Sequence, residues 1–207
     1  FEGAERLAEK YQVTRDDTDA FGLESQIRAK SAVDAGYFDS QIIPIEAPVM
    51  DDNFERTDAV ITMTQDEVPR DTSLDALASL KPVAREDGIH TAGTSSQIAD
   101  GAAAVLLMTE EKAAELGLTP MAVVRASALV GCDPVIMLEG PIPATEKLLA
   151  ETQLNIEDID VFEVNEAFAA VVLRYMDAIS VNDDIVNVNG GAIAMGHPLG
   201  ATGAMLM

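Results

Sequence analysis

Cysteine occurs once in this chain of 207 residues, at Cys132. A single thiol excludes an internal disulfide framework and any zinc site built from several cysteines, and it suits a reducing, cytoplasmic compartment. Positive charge is also scarce. Lys and Arg number 13 against 36 Asp and Glu, and lysine supplies only five of the 13. The formal net charge of −23 argues against nucleic-acid binding and against docking on anionic membranes. An anionic ligand would have to be held locally, by backbone amides or helix ends, because the global field repels it. The acidity suits either high salt or an ordinary solvated acidic face. No apolar run approaches the ~18 residues of a membrane-spanning helix. The first ten residues lack the charged-then-apolar pattern of a signal peptide. They read instead as a helix with Ala4, Leu7, Ala8 and Tyr11 on one face. The chain opens inside that helix without Met and stops at Met207 inside another apolar helix, so it reads as truncated at both ends.

What is present is enough for a core: 48% of residues are hydrophobic, which excludes a disordered chain. Thr14 to Asp17 has the form of a capping box, predicting a helix to about Ala35 ended by Gly36. Gln41 to Ile45 reads as a short strand, and Glu46 to Arg70 as an acidic, irregular surface excursion. Asp71-Thr72-Ser73 caps a short helix over Leu74 to Leu80. Ala102 to Met108 is a continuous apolar run of the kind a strand buried on both faces shows. Thr109 caps a helix closing at Gly117, Met121 to Val130 is strand-like, and Ala144 to Glu151 is helical. Strands are expected over Val161 to Val164 and Ile185 to Val188. Helices are expected over Glu166 to Ile179 and from Pro198 onward, with proline in the first turn. Strands alternating with helices imply an α/β layered fold.

Three stretches carry chemistry. From Asn189 to Gly203 small residues surround His197. Glycines there let the backbone approach a ligand closely. A histidine at a helix start can donate to a developing oxyanion or take a proton from a thiol. No Gly-Lys-Ser/Thr follows, so this is not a phosphate loop. The other reading is a glycine-rich turn with an incidental histidine. In Val164 to Ala170 a strand end delivers Asn165 and Glu166 to a helix start, where α/β folds place their sites. An Asn there can equally be a plain helix cap. Thr91 to Gly101 is rich in small and hydroxylated residues, as an ordinary loop also is.

Taken together, these stretches resemble the thiolase family of CoA-dependent acyltransferases. The motifs are Asn-Glu-Ala-Phe-Ala at 165–169, Asn-Val-Asn-Gly-Gly-Ala-Ile-Ala at 187–194, Gly-His-Pro-Leu-Gly-Ala-Thr-Gly at 196–203 and the Thr-Ala-Gly loop at 91–96. The Arg15 to Phe21 helix pattern also matches, and the resemblance covers essentially the whole chain. It implies an α/β, thiolase-like layered αβαβα fold, incomplete here. Residues 1–98 would be most of the loop domain with the CoA-binding loop. Residues 99–119 would be the last strand and helix of the N-terminal half, and 120–207 a truncated C-terminal half.

The resemblance further implies CoA-dependent acyl transfer through a cysteine acyl-enzyme. His197 would activate the nucleophile and bind the thioester oxyanion, and Asn165 would hold the oxyanion-hole water. Ser96, Ala92 and Gly93 would line the pantetheine tunnel of CoA, with Phe168 and Met137 around the acyl end and Arg70 towards the nucleotide. No cofactor is held permanently, since CoA is a substrate, and no metal is called for. The intact protein would be a homodimer or homotetramer without nucleic-acid or membrane partners. The family's two catalytic cysteines would lie before Phe1 and beyond Met207, so the chain alone is expected to be inactive and prone to aggregate. Cys132 matches neither and reads as a small core residue. Gln97 and Leu138 stand where many relatives carry glycine. Two other classes remain open: a non-catalytic acyl-CoA- or lipid-binding protein on the same fold, and a ketoacyl synthase, against which the 165–168 and 196–198 motifs speak.

Overall fold

The computed structural model describes all residues, 1–207. Helix α1 (Glu2–Tyr11) buries Ala4, Leu7 and Ala8. Helix α2 (Arg15–Asp34) begins with the expected capping box: Thr14 Oγ1 accepts from Asp17 N–H, and the Asp17 carboxylate accepts from Thr14 N–H at 2.9 Å. Two orphan amides are thereby satisfied at once. The helix ends at Ala35, with Gly36 at φ +73°. Ser73 and Thr109 cap α3 (Leu74–Ala78) and α4 (Glu110–Glu115) through their hydroxyls, as their positions predict. Helix α5 spans Pro141–Thr152 and α6 spans Ala169–Ile179; α7 (Ala192–Met195) and α8 (Thr202–Met205) are single turns.

The long α2 is the organising element. It packs against α3, α6 and α7, while α1 and α5 lie on α6. Arg15 fastens α3 to it, pairing with Asp19 at 2.7 Å and donating to the Leu77 carbonyl at 2.6 Å and the Leu80 carbonyl at 3.2 Å. These bonds occupy carbonyls at the C-terminus of α3, where a cation is favoured. Arg28 does the same on the other side, bridging Glu24, Asp183 and the Val186 carbonyl. The main core joins Phe21 of α2 to Phe162, Val164, Val172, Tyr175, Val186 and Ile193.

The strands depart from expectation. Ile45–Met50 (β1) and Arg56–Met63 (β2) form an exposed antiparallel hairpin where an irregular excursion was expected, and residues 41–44 are irregular rather than strand. Backbone pairing and a turn closed by the Asp51 side chain order this stretch although its apolar residues, Ile45, Met50, Val60 and Ile61 among them, stay exposed. Residues 102–108 and 121–130 form no strand and lie open, with Leu106 78% and Val123 80% exposed. Their apolar runs are those of strands covered on both faces. Within these 207 residues nothing lies alongside to pair with them. Of the expected pair at 161–164 and 185–188, one parallel bridge forms, Phe162 with Val186. Cys132 is likewise exposed rather than in the core, donating its thiol to the Met137 carbonyl at 3.0 Å. Only 36 of 207 residues are buried, so stability rests on the cluster around α2 and α6. No helix is long and apolar enough to cross a membrane.

This uneven burial makes a direct test. Ile193→Ala, at 1% exposure, should cost about 2–5 kcal/mol in urea unfolding with little change in slope. Val123→Ser, on the open segment, should stay within about 0.5 kcal/mol of the parent. Equal effects would contradict a core confined to the α2–α6 cluster.

Candidate active site

The site forms where three loops meet. The first follows Val164. The Phe162 N–H donates to the Ile185 carbonyl and the Asn187 N–H to the Phe162 carbonyl, both at 2.8 Å. Two residues further, at Val164, the pairing passes to a side chain. Asn187, at φ +48°, turns its amide onto Val164, accepting from its N–H at 2.7 Å and donating to its carbonyl at 2.8 Å. Asn tolerates the left-handed region better than most residues. Its side chain thus continues the ladder that the backbone abandons. Along this extended run side chains alternate, so Val164 and Glu166 point inward and Asn165 points the other way.

Glu166 is the inward anchor, at 1% exposure. Its carboxylate accepts from Ser25 Oγ (2.7 Å), Asn187 Nδ2 (3.1 Å) and the Ile193 N–H (3.0 Å). It therefore ties α2 and α7 to the strand end. Gly191 is required here: a Cβ would stand 2.3 Å from Glu166 Cδ. Burial pushes the Glu166 carboxyl above the ordinary glutamate range, against its three donors and the nearby Arg28.

The second loop, Thr91 to Gln97, is set by its own hydroxyls. Thr94 Oγ1 accepts from the Thr91 N–H at 2.8 Å and Thr91 Oγ1 from the Gly93 N–H at 3.1 Å. It then runs antiparallel to the first loop. The Ala169 N–H donates to the Thr94 carbonyl and the Ser96 N–H to the Ala167 carbonyl. The third loop attaches through the Gln97 carbonyl, which accepts from the His197 N–H at 2.8 Å.

The result brings the two predicted catalytic side chains together. Asn165 Nδ2 lies 3.3 Å from His197 Nε2, and His197 Nδ1 lies 2.7 Å from Thr202 Oγ1. Asn165 Oδ1 is buried without a partner. Asn165 caps no helix, because α6 begins only at Ala169, three residues later than expected, with Phe168 at its N-cap. The regular helix after His197 also starts late, at Thr202, since the Pro198 carbonyl first closes a turn with Ala201 and Thr202.

Ala92 and Gly93 line an open groove of about 150 Å³ with Arg70, Leu77, Leu80 and Gln97. Ser96 and Phe168 are not among its walls. Phe168 meets His90 edge-on at 5.3 Å. Met137 is 60% exposed and at φ +47°. No group of three or more His, Cys, Asp or Glu side chains is placed to hold a metal. Cys132 shares no hydrogen bond with His197 or Asn165. The roles of Glu166 and Thr202 escaped the sequence reading. Both sit inside quoted motifs. The only hint was a carboxylate beside an otherwise apolar inward face, and a hydroxyl five residues after the histidine.

The Glu166 environment has a sign that can be measured. A carboxyl raised in the folded state contributes most below its unfolded value of about 4.3 and loses that contribution as pH rises through the folded value. Denaturation of the parent and of Glu166→Gln should therefore diverge, the parent falling relative to the variant as pH climbs above about 4.3. Parallel curves between acid and neutral pH would refute a strained buried carboxylate.

Comparison with known proteins gives the family. Residues 3–111 match the thiolase N-terminal domain and residues 118–207 the thiolase C-terminal domain. The chain is 46% identical to an acetyl-CoA acetyltransferase of Chromobacterium violaceum, covering 99% of this chain and 51% of that protein. It is 47% identical to a 3-ketoacyl-CoA thiolase of Aliivibrio fischeri, covering 98% of the chain and 52% of the relative. The crystal structure of the Bacillus anthracis acetyl-CoA acetyltransferase superposes with a TM-score of 0.92 at 42% identity, over 99% of this chain and 50% of that one. Human mitochondrial 3-ketoacyl-CoA thiolase superposes at 0.87 and 38% identity. The chain spans about half the length of the curated relatives it matches. On domains, identity and fold alike, the chain belongs to the thiolase family.

Proposed function

We propose that this chain supplies the histidine–asparagine half of a thiolase active site, and that the longer protein carries out CoA-dependent acyl transfer. The observation that carries the reading is the Asn165–His197 contact with Asn165 Oδ1 left buried and unpartnered. His197 Nε2 would take the proton of a cysteine thiol supplied from outside these residues. The thiolate would attack the thioester carbon of an acyl-CoA, giving an acyl-enzyme and releasing CoA. The resulting imidazolium N–H and a water held by Asn165 Oδ1 would then face the thioester oxyanion. The imidazolium would return its proton to the departing CoA thiolate. In condensation a second acetyl-CoA, deprotonated at its α-carbon by a base from outside these residues, would attack the acyl-enzyme carbonyl, form the C–C bond and expel the cysteine thiolate. In thiolytic cleavage the cysteine would instead attack the 3-keto carbon, break the C2–C3 bond and release acetyl-CoA, and CoA would then take the acyl group from the cysteine. Without that cysteine the present chain is inactive by itself.

Substrate binding follows the same division. Ala92, Gly93 and the Ser96 loop would hold pantetheine, Phe168 the acyl end, and Arg70, the one cation on the groove wall, the nucleotide end. In a chain of net charge −23 such local capture is the way an anionic CoA can be held. No permanent cofactor enters this scheme. Residues 1–98 would act as loop domain, 99–119 as the close of the N-terminal half and 120–207 as the C-terminal half of a homodimer or homotetramer. The single, exposed Cys132 suits a reducing, cytoplasmic setting.

In the longer protein, His197→Ala should lower kcat by about 10²–10⁴-fold and Asn165→Ala by about 10²–10³-fold, assayed as CoA-dependent cleavage of a 3-ketoacyl-CoA. The 207-residue chain should show no turnover. Turnover by that chain, or an unaffected His197→Ala enzyme, would overturn the reading. A residue other than cysteine at the nucleophile position, with acyl-CoA still bound, would instead identify a non-catalytic acyl-CoA-binding protein.

A further inference from the structure

His197 hydrogen-bonds with two side chains, and the accounting of their donors and acceptors favours one arrangement of the protons. Thr202 is 7% exposed and its hydroxyl has two neighbours, the Pro198 carbonyl at 3.1 Å and His197 Nδ1 at 2.7 Å. A hydroxyl has one proton to give. Donated to the Pro198 carbonyl, one helical turn back, it leaves a lone pair facing Nδ1. Nδ1 must then carry the ring's proton, which leaves Nε2 bare in the neutral ring. Asn165 Nδ2 stands 3.3 Å from Nε2 as the donor that a bare nitrogen accepts. The opposite arrangement turns the Asn165 carbonyl onto an Nε2–H. It would point both Asn165 amide protons at the buried position now held by the unpartnered Oδ1, where the single water of the proposed mechanism could accept only one of them.

We infer that Thr202 is a positioning residue, which fixes the Nδ1–H tautomer of His197 and thereby keeps Nε2 as the ring's proton-accepting atom. The bond also survives protonation, because Nδ1–H donates to the same hydroxyl in the neutral and the charged ring. The ring plane therefore stays fixed while the proton on Nε2 comes and goes. Thr202 reaches back five residues because the Pro198 turn places the first residue of α8 beneath the ring. A valine would fill the same space without this control. The inference rests on the proposed role of His197, but its primary readout does not require catalysis.

The chain has two histidines, His90 and His197, so histidine-selective ¹⁵N labelling gives two imidazoles, and His197→Gln identifies the one it removes. In the parent protein, at a pH where the ring is neutral, His197 should show a protonated Nδ1 and an unprotonated Nε2. Thr202→Val should lower the Nδ1–H to Nε2–H ratio by about tenfold, within what the net worth of one hydrogen bond allows. Thr202→Ser should keep the parent spectrum. In the longer protein, Thr202→Val should reduce kcat by about 10–100-fold with KM little changed, and serine should recover most of the loss. An Nε2–H tautomer in the parent overturns the inference even if the valine variant does not fold. So does an unchanged ratio in Thr202→Val. If the tautomer behaves as stated while His197→Ala retains activity, the catalytic reading fails and the tautomer assignment stands.

Discussion

The side chain of Asn187 gives Val164 both hydrogen bonds that a neighbouring strand would supply. That substitution of side chain for backbone is what the site depends on. It holds the last residue of the run extended, so the next two side chains must diverge. Asn165 goes to His197, and Glu166 goes down among Ser25, Asn187 and Ile193. A loosened Asn187 would free Val164 and remove one of the three donors to a buried carboxylate. Such losses are costly in an interior where unpaired polar groups cannot reach water. The outward Asn165 and the inward Glu166 are therefore two faces of one constraint.

The same knot explains the glycines on either side of it. Gly191 makes room for the Glu166 carboxyl. Gly190, at φ +78°, would carry a Cβ only 2.6 Å from the Ser25 carbonyl. Gly190 thereby lets α2 press against the loop that holds Asn187. The pattern that reads in sequence as a ligand-approach loop is thus used first for approach of the protein to itself. His197 lies beyond that contact, at the loop's far end, where it meets the Gln97 carbonyl. Gln97 in turn faces the groove with Ala92 and Gly93. One residue links the histidine's backbone to the surface proposed for pantetheine.

Much of this was legible because it is local. The Thr14–Asp17 box, the Ser73 and Thr109 caps and the αL glycine at Gly36 are short-range devices, and each ended or began a helix as read. The motif residues met because their order along the chain encodes the three loops. Non-local features were not legible in the same way. The 45–63 hairpin was masked by the acids of its turn and flank, Asp51, Asp52, Glu55, Asp66 and Glu67, which interrupt two short apolar strands. The runs at 102–108 and 121–130 have the composition of buried strands, but composition fixes what a strand would bury, not whether a neighbour is at hand. Cys132 was misplaced for the same reason: a small thiol at the end of such a run is a core residue only when the sheet is there. Glu166 was invisible because nothing in its own neighbours reveals three donors arriving from α2, Asn187 and α7.

The contrast between those open runs and the ordered site has a physical basis. Parallel strands are stable when flanked and covered, and a single bridge such as Phe162–Val186 supplies little by itself. The site does not draw its order from that sheet. Its three loops are tied by five contacts that skip regular structure: Thr94 to Ala169, Ser96 to Ala167, Gln97 to His197, Asn187 to Val164 and Glu166 to Ile193. These anchor on α2, α6 and α7, whose packing is already closed around Ile193 and Val172. Geometry at Asn165 and His197 is consequently decided by a helix-borne cluster of side-chain and loop hydrogen bonds. The apolar runs contribute surface rather than position. That separation holds Asn165 and His197 in register independently of the open runs.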